Sequence, residues 1–409
     1  MVSPSSVRLY KHRRLGRRLM EGLLAIILLG SGLYFARRSG TDYSAYGNDF
    51  NVFYFAAREV LAGRDPYQNR LGPWTPYLYP PVLAELLAPI ALLPLPLAAY
   101  IWFVASGVSM LLAARMASVL SVQASGSNST GDSRPENKPT MAAETLVALI
   151  ASMVVGRFAL DCFAMGQVNA IVTGLAVAHL YLYAKDRRQL SALALALAAS
   201  LKLTPAVLII YHLARGRIRF AAGTSLLLVC LLAGSFLVFG RGAIVAARAF
   251  QQQTIANGQG FDLGYSGNQS IRGAELRLTS ESDDGRRKPY DWASLAVSLV
   301  LLLGAVFAAR RQASEVAAAP LFCCMVMLSP LAWKAHFVAL ILPAACLAAR
   351  AIRRTPGVKT SLARFAIALT FVLFTLTSPT LIGATGAEWT DYHSLVLFGT
   401  LVTYLAVLF

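Results

Sequence analysis

The sequence predicts an all-α protein, a bundle of helices that crosses a membrane many times. Three observations predict it. The 409 residues are 56% hydrophobic and only 14% charged, where a soluble chain carries about 25% charged residues. That is too little charge to hydrate a surface of this size, so lipid must cover most of it. Apolar runs recur along the whole chain, many approaching the roughly 20 residues a helix needs to span hydrocarbon. The basic residues fall in short clusters between those runs: Lys11–Arg14, Arg17–Arg18, Lys185–Arg188, Arg215–Arg219, Arg310–Arg311 and Arg350–Arg354. Such clusters mark cytoplasmic loops. They account for the net charge of +17 and exclude nucleic acid as the partner that charge would otherwise suggest.

The basic N-terminus, residues 1–19, leads into an apolar run, Leu23–Ala36. Arg37 and Arg38 follow it in place of a small-residue cleavage site, so the run reads as a retained first span with a cytoplasmic N-terminus. Further spans are expected at Leu97–Leu120, Val168–Ala184, Phe220–Phe239, Ala293–Ala309, Val316–Trp333, Phe337–Ala349, Leu362–Thr377 and His393–Phe409. Weaker runs at Pro81–Leu93 and Thr145–Phe158 are short enough to be re-entrant or broken. The total is roughly 9 to 13 spans, short helices included, in one membrane domain with no soluble domain and no internal repeat.

Three polar segments interrupt the pattern: residues 37–79, 121–140 and 240–291. The second is low in complexity and reads as a loop. The alternation of basic clusters puts the first and third on the outer side of an inner (plasma) membrane. The number of crossings between Pro81 and Ala184 stays open. Leu190–Leu213 has basic flanks on both sides and is too short for two full spans. A bent hairpin of short helices with Lys202 near its tip satisfies both ends. A charge at that depth is costly unless it faces a cavity or an anion, or snorkels to an interface.

In the first outer segment Phe53, Ala56, Ala57, Val60 and Leu61 fall at helical spacing, predicting an amphipathic helix that Gly63 ends and Asp65-Pro66-Tyr67 turns away from. Asp49 stands at its start. Either Asp49 or Asn48 caps the helix; the alternative role for Asp49 is a general base at the membrane face. No Cys/His cluster and no HExxH pattern occurs, and the five cysteines (Cys162, Cys230, Cys323, Cys324, Cys346) lie in or beside apolar runs, so no metal site is expected. Asp283 and Asp284 read as a loop tip.

These residues also carry a family resemblance. Asp49-Phe50-x-Val52-Phe53-Tyr54-x-Ala56-Ala57, then Leu61-x-Gly63-x-Asp65-Pro66-Tyr67, then Tyr79-Pro80-Pro81 with Pro89 following, resemble the opening of the glycosyltransferase 87 family of the GT-C superfamily. Gly166-Gln167-Val168-Asn169, Lys202-x-x-Pro205, Asn268-Gln269-Ser270 and Leu328-Ser329-Pro330-x-x-Trp333-x-x-His336 are similar to later family motifs, in the same order. One departure is visible: the family often has paired histidines after the tryptophan, and here Lys334 and Ala335 precede a single His336. The resemblance implies a GT-C helical bundle. It implies transfer of a hexose, mannose-like, from a polyprenyl-phosphate-linked donor to a lipid or glycan acceptor at the extracytoplasmic face, with inversion. Asp49 matches the essential acid. Lys202, Lys334, His336, Arg272 and Arg277 are candidates for the donor phosphate, and Gln167, Asn169, Asn268, Gln269 and Tyr79 for donor contacts more generally. No cofactor is implied, since the lipid phosphate is itself a good leaving group. A transporter or lipid-carrier flippase is the alternative. It would gather its polar residues at the bilayer midplane, whereas this enzyme class gathers them at one face.

Overall fold

The computed structural model describes residues 25–40, 48–68, 77–127, 141–239, 263–279, 291–353 and 357–409, with a few isolated positions besides. Every regular element among them is helical. Helix α1 covers residues 25–40. It is followed by α2 (Asp49–Leu61), α3 (Pro81–Ala91), α4 (Leu95–Ser127), α5 (Met141–Met165), α6 (Asn169–Ala184), α7 (Arg188–Leu201), α8 (Val207–Ala214) and α9 (Ile218–Phe239). Then come α10 (Ile271–Thr279), α11 (Trp292–Arg311), α12 (Ala319–Met327), α13 (Ile341–Ala351), α14 (Val358–Thr375), α15 (Pro379–Tyr392) and α16 (Leu395–Leu408).

Six helical segments among the described residues are long and apolar enough to cross a membrane, or up to seven if α15 and α16, bent by 60°, form one span; five shorter apolar helices accompany them. The chain is a multi-pass membrane protein. Its outward faces fit that setting: Leu226, Leu237, Val300, Leu303 and Phe365 are exposed on α9, α11 and α14, a cost in water that lipid removes.

Two apolar clusters hold the bundle. The larger is centred on α12, α13 and the segment before it, packed against α4, α5 and α16. The smaller joins Phe35 of α1 to α2, α3, the first turns of α4 and the start of α6. Val168, Val172 and Leu201 belong to the smaller cluster, while Cys162, Ala170 and Phe337 belong to the larger. The seam between them is where the polar residues of the motifs meet.

The sequence expectation is corrected at several places. The run Thr145–Phe158, short enough to suggest a broken helix, lies inside a 25-residue helix, α5. Arg157 and Asp161 interrupt the apolar pattern without ending the helix, and Arg157 donates to the Phe374 carbonyl at 3.3 Å. Conversely, Val316–Trp333 is not a full span. It is a 3₁₀ turn, Glu315–Ala318, and the nine residues of α12. The chain then leaves helix at Ser329-Pro330, where proline supplies no N–H and the Ser329 hydroxyl donates to the Leu331 carbonyl at 2.7 Å. Helix α4 runs on to Ser127, so helix replaces the start of the supposed loop at 121–140. The basic residues 1–19, residues 128–140 and most of 240–291, including Asp283 and Asp284, lie outside the described residues.

Between the first polar segment and Lys185, α4 and α5 are long and apolar enough to cross a membrane, while α3 and the 16-residue α6, expected as a full span, are among the shorter apolar helices. The hairpin of Leu190–Leu213 is present: α7 ends at Leu201, Lys202 is extended (φ −153°, ψ 128°), and a 3₁₀ turn at Thr204–Ala206 starts α8.

Candidate active site

Helix α2 begins with a cap that assigns its first two polar residues. Asn48 is extended and its Oδ1 accepts from the Phe50 backbone N–H at 3.1 Å. Its amide donates to the Ser39 hydroxyl at 2.6 Å. Asn48 is therefore the N-cap, and Asp49 is the first helical residue, where the helix dipole favours a negative charge. Capping does not explain Asp49. The helix is anchored by Phe50 and Phe53, both 1% exposed, against the Trp102 ring at 5.7 and 5.9 Å. Gly63 ends the helix region at φ +68°, and the Asp65 carboxylate accepts from the Tyr67 N–H at 3.0 Å to make the turn.

Facing α2 is the tight turn between α5 and α6. Gly166 has φ +62°, and a Cβ placed there meets Phe35 at 2.7 Å and Phe50 at 2.8 Å. Its carbonyl accepts from the Trp102 indole N–H at 2.8 Å. Both the left-handed backbone and the missing side chain are used. Replacing Gly166 by Ala is expected to cost at least about 1–3 kcal/mol and to shift Asn48 and Asp49. Chemical denaturation of the purified variant checks the first effect, and a parallel loss of turnover checks the second.

The turn carries Gln167 and Asn169 inward, each 4% exposed. The Gln167 side chain lies close enough to the Asp49 carboxylate to favour its ionised form. Asn169 Nδ2 donates to Gln167 Oε1, and Lys202 Nζ donates to Asn169 Oδ1 at 2.7 Å. Four residues from three separate places in the chain thus form one connected polar path. Lys202 and Asn169 line a narrow pocket together with Thr173, Thr204 and His336; Val172, Met325, Val326 and Ala339 complete its apolar wall. Tyr79 lies close enough to Asp49 to feel its charge, its ring edge-on to Phe53 at 4.8 Å.

Burial raises the Asp49 carboxyl to about 6, against the opposing pull of the Gln167 side chain and the Lys202 charge. A carboxylate with that value is ionised near neutral pH yet basic enough to take a proton. Among the described residues no group of three or more His, Cys, Asp or Glu is placed to hold a metal ion.

The structure thus brings together Asp49, Tyr79, Gln167, Asn169, Lys202 and His336. It gives the other candidates partners of their own. Lys334 Nζ donates to Asp391 Oδ2 at 2.6 Å. Arg272 pairs with Asp291 at 2.6 Å and Glu275 at 2.9 Å. Arg277 donates to the Tyr392 carbonyl at 3.0 Å and the Ser394 hydroxyl at 2.7 Å. Asn268 donates to the carbonyls of Leu263 and Pro330 and accepts from the N–H groups of Ser270 and Ala332. Gln269 donates to the Ser266 and Asp391 carbonyls. These residues lock the third polar segment onto the 330–333 turn and the α15–α16 junction, and so fix the segment that presents His336.

Thr173 and Thr204 in the pocket escape a sequence reading, as does the grouping of Lys334 with Arg157, Asp161 and Asp391, which lie within electrostatic reach of one another. The i, i+4 spacing of Arg157 and Asp161 in an apolar run was the available signal, because charges there need partners.

A family model for glycosyltransferase family 87 matches residues 77–332. A polyprenol-phosphate-mannose-dependent alpha-(1-2)-phosphatidylinositol mannoside mannosyltransferase of Mycobacterium tuberculosis (strain ATCC 25618 / H37Rv) is 30% identical over 351 residues, covering 80% of this chain and 75% of the relative. A protein of the same description from Mycolicibacterium smegmatis (strain ATCC 700084 / mc(2)155) is 29% identical over 349 residues, 80% of this chain and 75% of its own length. A polyprenol-phosphate-mannose-dependent alpha-(1-2)-phosphatidylinositol pentamannoside mannosyltransferase of Mycobacterium tuberculosis (strain CDC 1551 / Oshkosh) is 28% identical over 269 residues, 65% of this chain and 57% of the relative. The chain is a glycosyltransferase and belongs to glycosyltransferase family 87.

Proposed function

We propose that this enzyme moves a mannose-like hexose from a polyprenyl-phosphate-linked donor to a hydroxyl of a lipid or glycan acceptor, at the extracytoplasmic membrane face and with inversion. The observation that carries this reading is the polar path that holds a carboxylate, Asp49, and an ammonium, Lys202, on the same end of the bundle. The relatives' names give polyprenol-phosphate-mannose as their donor.

The chemistry follows from what the two groups do. Asp49 takes the proton of the acceptor hydroxyl as that oxygen bonds to the anomeric carbon. On the opposite face of the sugar the bond from carbon to phosphate oxygen breaks, and the electron pair leaves with the lipid phosphate. Lys202 meets the charge that develops there, with His336 and the N-terminus of α6 beside it. A phosphate leaving group needs no general acid, so one carboxylate suffices where a glycoside hydrolase uses two, and the reading calls for no metal. The apolar wall of Val172, Met325 and Val326 suits a donor that arrives from lipid.

Orientation rests on charge. Lys185–Arg188, Arg215–Arg219 and Arg310–Arg311 follow or precede helix ends opposite to the turn at Gly166. The positive-inside rule then puts them in the cytoplasm and the site outside, in an inner (plasma) membrane.

A pH profile tests the role of the base. Asp49 must be ionised to act, and its carboxyl sits near 6. Lipid-phosphate release by the reconstituted enzyme should therefore be constant at alkaline pH and fall as pH drops through about 6. An unchanged rate from about pH 8 down to about pH 5 contradicts general-base catalysis by Asp49.

A further inference from the structure

Amide side chains carry a donor at one end and an acceptor at the other, so a chain of them has a direction. Lys202 has only donors, and it donates to Asn169 Oδ1 at 2.7 Å. That turns Asn169 Nδ2 toward Gln167, whose Oε1 accepts it. The Gln167 amide nitrogen is then the end left for Asp49, a carboxylate that only accepts. Its other N–H faces Met165 Sδ at 4.0 Å. Turning either amide over places two acceptors or two donors in contact, so the charged ends fix both orientations. Both amides are buried and sit two residues apart on a turn that Gly166 and Trp102 hold rigid.

We propose that Gln167 and Asn169 are positioning residues, a directional relay that orients the Asp49 base and the Lys202 cation as one unit. The inference rests on the roles given above to those two end groups. Gln167 engages the Asp49 carboxylate and so leaves it one face for the acceptor hydroxyl. Asn169 takes one of the three Lys202 N–H groups and leaves two for the donor phosphate. The acceptor side and the donor side are thereby aligned through protein before either substrate arrives, the geometry that proximity effects require.

The charged and titratable groups facing Asp49 are Lys202 from the α7–α8 break, Cys162 from α5 and Tyr79 before α3. None of them changes in Gln167→Met, while Asn169→Asp adds one carboxylate to the group. Gln167→Met keeps length and volume but loses the donor. Asn169→Asp keeps shape and still accepts from Lys202, yet offers Gln167 an acceptor, so the Gln167 amide must turn its oxygen to Asp49.

Both variants should lose about 10- to 100-fold in kcat, with a smaller change in KM for a polyprenyl-phosphate-mannose donor. The acid limb of the Gln167→Met profile should move up by about one pH unit, because the neighbouring donor that favours the ionised Asp49 is gone. Asn169→Asp should move it in the same direction, partly through the turned Gln167 amide and partly through the added carboxylate, and only the first part depends on Gln167. In a double-mutant cycle that shift should shrink once Gln167 is Met, because the relay is already cut. A side chain that only fills space gives none of these shifts. If Gln167→Met keeps the wild-type midpoint, or if Asn169→Asp shifts it equally with and without Gln167, the relay is overturned. Should Gln167→Met fail to fold, Gln167→Leu takes its place in the same cycle, and a wild-type midpoint or an undiminished Asn169→Asp shift in that background rejects the proposal. An active Asp49→Asn enzyme instead removes the reading beneath it, so the two failures are told apart.

Discussion

Asp49→Asn should reduce sugar transfer by about 10²- to 10⁴-fold, the range general-base catalysis supplies, while the protein stays folded. Asn keeps the shape of the side chain and can still bond to Gln167 after a turn of the amide. It cannot take a proton. Stability should hold or rise, and the sign can be worked out. Burial raises the folded carboxyl from its ordinary value of 3.8 to about 6, so ionised Asp49 costs stability at neutral pH; that cost is relieved as pH falls from about 6 toward 4. Asn carries no such cost. The midpoint of thermal unfolding at pH 7 should therefore be equal or higher in the variant. A variant that loses activity and stability together would make Asp49 a structural residue instead.

Lys202→Met should lower kcat by about 10²- to 10³-fold, the usual loss when one donor to a developing oxyanion is removed. Met fills the stem but leaves Asn169 Oδ1 without its 2.7 Å donor. Lys202→Arg should recover only part of the rate, because a planar guanidinium does not reproduce a compact ammonium at the bend between α7 and α8. The acid limb of Lys202→Met should also move up, since the Lys202 charge helps hold Asp49 ionised. Rate and donor KM measured across pH with detergent-solubilised protein check all three results. Full activity in Lys202→Met would leave the ammonium without a catalytic use.

The contrast between these residues and their neighbours shows what a sequence can convey. Asp49 and Lys202 stand out in the sequence because each carries charge where the surrounding pattern is apolar or amphipathic, which demands an explanation on physical grounds. The helix of residues 49–61 was legible from its spacing, and the bent hairpin from its basic flanks. The roles of Asn268, Gln269, Arg272 and Arg277 were not. Each looks like an available polar group until its partner is known, and the partners of Arg277 at Tyr392 and Ser394 lie more than 100 residues further on. The same holds for Lys334, whose partner Asp391 lies far along the chain. Helix α5 was misjudged because Arg157 and Asp161 break its hydropathy but not its hydrogen bonds. The cap at Asn48 was one of two possibilities that only geometry separates.

The central claim is that a sugar leaves a lipid monophosphate at the site shared by Asp49 and Lys202. It is tested most directly by incubating the purified enzyme in lipid with polyprenyl-phosphate-mannose and a lipid acceptor, and weighing the lipid products by mass spectrometry. The account predicts free polyprenyl monophosphate released in step with a hexose added to the acceptor. Donor lipid recovered intact, while a nucleotide-activated sugar is consumed in its place, would contradict it.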